Sequence, residues 1–277
     1  MNQRADFLRF ERVTKVFDPH DRHHQPTKVI DGVTLGVAEG EFVAFLGPSG
    51  CGKTTLMRMA GGLETTTSGR VVLDGVPVNG PDRRKGMVFQ AYSSFPWLTV
   101  LENVRFGLKY RRDVDGREKD AIARRYLELV GLADFAGFYV SRISGGMRQR
   151  VAIARTLAAG PDVLLMDEPF GALDAQTREF LQYQLLEINR RERKTVIFVT
   201  HDVEEAVFLA DRIVMFSARP ATILEQIVVA QYVPGERTLA TKESEDFFRL
   251  RNRVHELMRT EARRTEAMFQ PGESAGG

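Results

Sequence analysis

The sequence predicts an α/β protein built on a mostly parallel sheet, with an N-terminal antiparallel β subdomain and a helical subdomain inserted midway. Three observations carry this. Short apolar runs at 41–46, 163–166, 195–200 and 212–216 alternate with helical periodicity, which implies a parallel sheet covered on both faces. Two strand-like stretches, 7–16 and 29–37, precede that alternation and bracket a polar, proline-containing loop at 18–26. From about 91 to 160 the period becomes helical, most clearly in 117–130 and 144–158.

Taken in order, the run Phe42-Val43-Ala44-Phe45-Leu46 reads as a buried strand, followed by a glycine-rich turn and a helix with Leu56, Met57 and Ala60 on one side. Further strands are expected at 70–73 and 86–90. After the helical lobe, strands return at 163–166, 195–200 and 212–216 with helices between them. The chain divides into a unit at 1–235 and a C-terminal part at 236–277. In the latter, 244–262 forms an amphipathic helix with Phe247, Phe248, Leu250, Val254, Leu257 and Met258 at helical spacing, and 270–277 reads as a disordered tail.

Composition narrows the functional classes. At 277 residues the chain can bury a sizeable core, and 39 basic against 37 acidic residues (net +2) give no argument for a nucleic-acid partner. No run approaches the ~18 consecutive apolar residues of a membrane span. The first ten residues lack an apolar signal core, and the single cysteine, Cys51, excludes an internal disulfide. A cytosolic protein is expected.

Gly47-Pro48-Ser49-Gly50-Cys51-Gly52-Lys53-Thr54 matches G-x-x-x-x-G-K-[ST] between a buried strand and a helix. Glycines let backbone N–H groups turn onto phosphate oxygens, and the helix N-terminus adds favourable partial charge. Lys53 is expected to reach the β- and γ-phosphates, and the Thr54 hydroxyl to ligate Mg²⁺. Thr55 is placed for the α-phosphate, or is simply a small polar residue in a first helical turn. Cys51 reads as a reactive thiol or as a small residue that fits. The apolar strand at 163–166 ends in Asp167-Glu168. Burying two carboxylates at a strand end is costly unless a cation or a reaction uses them. Asp167 is expected on Mg²⁺ and Glu168 as the general base that polarises the attacking water.

Ser144-Gly145-Gly146-Met147-Arg148-Gln149-Arg150 discriminates further. This segment, with the acidic pair following at the right interval, resembles the signature motif of the ATP-binding-cassette (ABC) ATPases. The resemblance covers roughly residues 7–225 and implies a P-loop NTPase core. It implies Gln90 as the Q-loop glutamine that senses Mg²⁺ and water, Gly171-Ala172-Leu173-Asp174 as the D-loop, and His201 as the switch histidine that touches the γ-phosphate and Glu168. It implies that Ser144, Gly145 and Gly146 face the γ-phosphate held by a second copy, with Asp174 acting across the dimer. Ser144 also suits an N-cap, as does Asp174, and Asp202 with Glu205 suits a capping box. Phe17, about thirty residues before Gly47, is the expected adenine-stacking aromatic. The nearby His20, His23 and His24 have no cysteine or spaced carboxylate beside them and read as a solvated loop. Two departures from the family pattern, Ile143 for Leu and Tyr139-Val140 for Tyr-Pro, keep apolar bulk.

Within bacterial importers, the segments 95–104, 170–178 and 217–220 resemble the nitrate/sulfonate/taurine type. That resemblance implies a peripheral ATPase at the cytoplasmic face of the inner membrane. Its partners would be membrane permease subunits docking near residues 90–104 and a separate solute-binding protein. Phe95, Trp97 and Leu98 form either the apolar dock or the core of the lobe. The alternative is a soluble ABC ATPase of the iron–sulfur-assembly or DNA-repair type, and the chain has neither a long coiled-coil insertion nor a second cassette.

Overall fold

The structure is a computed structural model that describes residues 4–18, 25–89, 93–171 and 173–269, the last six by backbone only. Gln90, Ala172, His20, His23, His24 and the tail 270–277 lie outside the described residues.

Strands β1 (Leu8–Phe17) and β2 (Thr27–Val37) pair antiparallel, as two rows of alternating side chains joined by the 18–26 loop. β3 (Phe42–Leu46) leads through the glycine loop into α1 (Lys53–Gly61). β4 (Ser68–Leu73) and β5 (Val76–Pro77) complete a four-stranded antiparallel sheet of order β2-β1-β4-β5. After β6 (Lys85–Val88) the lobe contributes α2 (Val100–Gly107), α3 (Gly116–Leu129) and α4 (Gly145–Ala158). β7 (Val163–Asp167), α5 (Ala175–Glu192), β8 (Thr195–Val199), α6 (Val203–Leu209), β9 (Arg212–Phe216) and β10 (Ile223–Val228) follow, and α7 (Glu245–Phe269) ends the described chain. The larger sheet has the order β10-β9-β3-β8-β7-β6. All its pairings are parallel except β9 with β10.

The parallel strands are apolar throughout because both faces are covered. On β3, Phe42, Ala44 and Leu46 face one core, shared with the lobe, α5, α6 and α7. Val43 and Phe45 face the other, shared with α1 and the antiparallel sheet. The same alternation runs along β7, β8 and β9, the two-residue period of a pleated strand. Helix α1 is thus clamped between two sheets, which immobilises the loop before it.

Several boundaries differ from expectation. The strand expected at 86–90 runs from Lys85 to Val88, and β5 and β10 were not anticipated. Both have few buried positions, so they carry little apolar signal. The C-terminal helix runs to Phe269, beyond the expected end at 262. It is seated by Phe247, Leu250 and Val254, which are buried in the same core as α6, whereas Phe248 is exposed. Among the described residues no helix is long and apolar enough to cross a membrane.

The capping box expected at α6 forms only in half. Asp202 caps the helix by accepting from the N–H groups of Glu204 and Glu205 at 2.8 and 3.2 Å. The Glu205 side chain turns into the interior instead, accepting from Thr200 Oγ1 at 2.7 Å and Gln182 Nε2 at 3.2 Å. Burial holds the Glu205 carboxyl above its ordinary range, with the Thr200 bond opposing that rise. A folded-state pKa raised above the unfolded value gives stability that is full below the unfolded pKa and declines as pH rises through the folded one. Glu205→Gln should therefore melt higher than the parent at pH 8, and the difference should shrink as pH falls towards 5. Thermal unfolding at several pH values checks this, and a gap that widens on acidification would contradict it.

Candidate functional site

The carboxyl ends of β3, β7 and β8 finish level, with Phe45 and Asp167 both opposite Val199. Three loops carrying reactive side chains leave from that rim. Together with Phe17, Thr27 and Val29 of the antiparallel sheet they line a cleft of about 620 Å³ that also contains Ser49, Gly50, Gly52, Lys53, Thr54, Thr55, Glu168, His201 and Arg219.

The glycine loop is shaped by space as much as by dihedral freedom. A side chain at Gly47 would place its Cβ 2.8 Å from the Phe216 carbonyl oxygen, and one at Gly52, where φ is 126°, would meet Val29 Cγ1 at 3.0 Å. Gly52 also stands at the N-cap of α1 with no capping side chain and no acidic residue in the first turn. The first N–H groups of the helix are therefore open to an anion. Lys53 is buried, and its Nζ donates to the carbonyls of Gly47 at 2.7 Å and Pro48 at 2.8 Å. This sets one ammonium inside the loop. Gly47, Pro48 and Cys51 stand behind the lining, and the buried Cys51 Sγ lies 3.8 Å from Lys53 Nζ.

Thr54 Oγ1 donates to Asp167 Oδ1 at 2.8 Å, joining the first turn of α1 to the end of β7. Burial pushes the Asp167 carboxyl up, the Thr54 bond opposes this, and the adjacent Glu168 charge adds to it. A buried carboxylate held in this way is an acceptor for a cation. Among the described residues no group of three or more His, Cys, Asp or Glu could hold a metal. A hydroxyl with one carboxylate suits Mg²⁺, which keeps waters and takes substrate phosphate oxygens as ligands.

Glu168 adopts φ 44°, a left-handed conformation uncommon for a side chain of this size. Its N–H donates to Val199 O at 2.9 Å and its carbonyl accepts from Gly171 at 3.1 Å, which hold the backbone there. Such strain is stored where surrounding structure over-determines it, commonly at reactive sites. The result lifts the carboxylate off the strand into the cleft, where Oε1 lies 3.2 Å from His201 Nδ1. Phe17 is half exposed at the cleft mouth, with Lys15 Nζ 4.8 Å from its ring centroid.

Ser144, Gly145, Gly146 and Asp174 do not line this cleft. Ser144 caps α4 by accepting from the Met147 N–H at 3.3 Å, and that helix has no acidic residue in its first turn. Asp174 caps α5 by accepting from the Thr177 N–H at 3.0 Å, a bond that lowers its pKa. The two motifs are neighbours, since a Cβ at Gly146 would lie 3.2 Å from Leu173 Cδ2. The structure thus separates the expected site residues into two surfaces of one chain.

Sequence reasoning missed three lining residues: Thr27, Val29 and Arg219. The last sits in the segment 217–220, which had served only as a mark of resemblance. Its guanidinium donates to the Gly50 carbonyl at 2.8 Å through Nη2 and 3.3 Å through Nε.

The chain is similar to known proteins over most of its length. The ABC transporter family model matches residues 30–171. An uncharacterised ABC transporter ATP-binding protein of Methanocaldococcus jannaschii is 46% identical over 92% of this chain and 92% of its own length. The nitrate import ATP-binding protein of a Synechocystis strain is 46% identical over 86% of this chain and 91% of its own. The taurine import ATP-binding protein of Yersinia pestis is 43% identical over 83% of this chain and 91% of its own. Among solved structures, a dimeric ATP-binding cassette in a post-hydrolysis state with ADP and Pi superposes with TM-score 0.72 at 35% identity, covering 80% of this chain and 98% of that one. This chain belongs to the ABC transporter family as an ATP-binding, ATP-hydrolysing subunit.

Proposed function

We propose that two copies of this chain close head-to-tail on two ATP molecules and so drive a membrane importer for a small solute, an oxyanion such as sulfonate, taurine or nitrate. The observation that carries this reading is the division of the site residues. Lys53, Thr54, Glu168 and His201 line one cleft, with Asp167 bonded behind Thr54, while Ser144, Gly145, Gly146 and Asp174 lie off it and become useful only when a second copy brings them to its mouth. The names of the nitrate and taurine relatives support the importer role and the oxyanion class.

In the closed dimer, Phe17 stacks on adenine and the N–H groups at the start of α1 take the phosphates. Lys53 turns from its loop carbonyls to the β- and γ-phosphates. Thr54 and Asp167 would hold Mg²⁺, whose charge offsets that of the phosphates when bound. Glu168 receives a proton from the attacking water, and His201, 3.2 Å from it, orients the carboxylate and meets the γ-phosphate. Ser144 and the N-terminus of α4 of the second copy offer donors to the same phosphate. Hydrolysis removes the bridge, and the dimer reopens. Gln90, which precedes the lobe in sequence, would sense Mg²⁺ and water.

The load attaches at the lobe. Trp97 is 69% exposed, although its ring lies 5.5 Å from Phe95. The turn that presents it is organised by the buried Asn103, which accepts from Phe95 N at 2.8 Å and donates to the carbonyls of Phe95 and Thr99 at 3.0 and 2.9 Å. An exposed tryptophan on a rigid turn is suited to anchor a helix of a membrane permease subunit. A solute-binding protein would complete the system.

Three outcomes are expected. Lys53→Ala and Ser144→Arg chains, each inactive alone, should regain ATPase activity when mixed, because a mixed dimer keeps one intact composite site; silence at every mixing ratio would reject the shared site. Glu168→Gln should lower hydrolysis at least ~100-fold and accumulate an ATP-bound dimer in size-exclusion chromatography. A monomeric variant hydrolysing at the parent rate would remove Glu168 from its role. Trp97→Ala should weaken co-purification with co-expressed membrane subunits roughly thirty-fold, as for an anchor residue worth about 2 kcal/mol. Undiminished capture would place the dock elsewhere.

A further inference from the structure

The loop joining β9 to β10 touches three parts of the molecule at once. It is fixed internally by Ser217 Oγ, which accepts from Thr222 N at 2.9 Å and donates within the turn towards the carbonyls of Ala218 and Pro220. On one side it is tied to β2, where Ala221 N donates to Val29 O at 2.8 Å and Asp31 N to Ala221 O at 3.1 Å. On the other it is tied to α7, where the buried Glu261 accepts from Ala218 N at 3.0 Å through Oε1. From its tip, Arg219 reaches the phosphate loop at Gly50 O.

The Gly50 carbonyl is an informative place for a cation to grip. In a trans peptide the carbonyl of one residue and the N–H of the next point to opposite sides. A guanidinium drawing Gly50 C=O outward therefore turns the Cys51 N–H inward, and that N–H lies 3.4 Å from Pro48 O, the carbonyl that also receives Lys53. Gly50 has φ 72°, so its own backbone supplies little resistance to reorientation. A planar fork with two donors on one oxygen supplies that resistance from outside.

The grip is seated by the C-terminal helix. Phe247, Leu250 and Val254 fix the start of α7 in the core beside α6, and Arg253 Nη2 pairs with Glu225 of β10 at 2.6 Å. Glu261 lies about 21 Å further along than Phe247, at a rise of ~1.5 Å per residue, and reaches the loop there. Helix, loop and phosphate cradle form one continuous set of contacts.

We propose that Arg219 is a positioning residue of the nucleotide site, and that α7, acting through Glu261, sets it in place and so tunes affinity for ATP. This rests on the reading of Gly47–Thr54 as the phosphate cradle. The test measures KM and kcat for ATP, the Kd of a fluorescent ATP analogue and thermal stability in full-length Arg219→Ala, Arg219→Lys, Glu261→Ala, Glu261→Gln and the double alanine variant. Arg219→Ala should raise KM and Kd about tenfold, as expected for loss of a charged hydrogen bond, with kcat moving less than about twofold. Arg219→Lys, able to donate one bond, should recover part of the loss. Glu261→Ala should raise KM roughly three- to fivefold while Glu261→Gln, whose amide oxygen still accepts from Ala218, stays near the parent. The double variant should be no worse than Arg219→Ala, since both act through one contact. An unchanged KM in Arg219→Ala, or a fall in kcat alone, would overturn the role of Arg219, and multiplying effects in the double variant would overturn its link to α7. Lys53→Ala serves as control: wild-type nucleotide affinity in that variant would instead reject the cradle itself.

Discussion

The parallel pairing of β3, β8 and β7 is the constraint on which the rest of the molecule depends. Its register brings Leu46, Asp167 and Val199 to one rim, so the loops that follow leave from a common line. Every residue of these three strands is buried, and their side chains alternate between two separate cores. A slip of one residue would exchange those two sets between cores of different shape, and at a full packing density such an exchange is not tolerated. The site is therefore accurate because the sheet beneath it has no alternative register.

That rigidity supports groups that would otherwise be unfavourable. Glu168 is held at positive φ by bonds to Val199 and Gly171, and Asp167 is a buried carboxylate whose pKa is raised by loss of water. Lys53 spends its charge on two carbonyls of its own loop. The carboxylate and the ammonium are thus held at the cleft by neighbours a few positions away or on the adjoining helix.

The lobe, the loop before α5 and α7 surround the cleft. Gly146 abuts Leu173, so the N-terminus of α4 and the end of the loop before α5 are neighbours, and neither lines the cleft. Asn103 holds the turn that exposes Trp97, and Arg155 grips the start of that segment through Ser93 O at 2.8 Å. Arg219 joins the cleft to the C-terminal helix. The contacts at Asn103, Arg155 and Arg219 run from a side chain to backbone, whereas Gly146 and Leu173 meet by close approach alone.

The sequence alone determined the chemistry and the order of the parts. The glycine loop with Lys53 and Thr54, the acidic pair at a strand end, and the caps at Ser144, Asp174 and Asp202 were all legible, because each depends on residues within a few positions of one another. The period of the apolar residues likewise revealed the five parallel strands and the lobe. Only the tertiary structure decided that Ser144 and Asp174 stay out of the cleft lining, and that Glu205 turns inward to Thr200 and Gln182. It also decided that Trp97 is exposed and that Arg219 lies on Gly50. These are matters of adjacency between residues far apart in the chain, set by register and crossover. Arg219 and Gly50 are separated by almost the whole sheet in sequence, and no local pattern in either segment encodes their meeting.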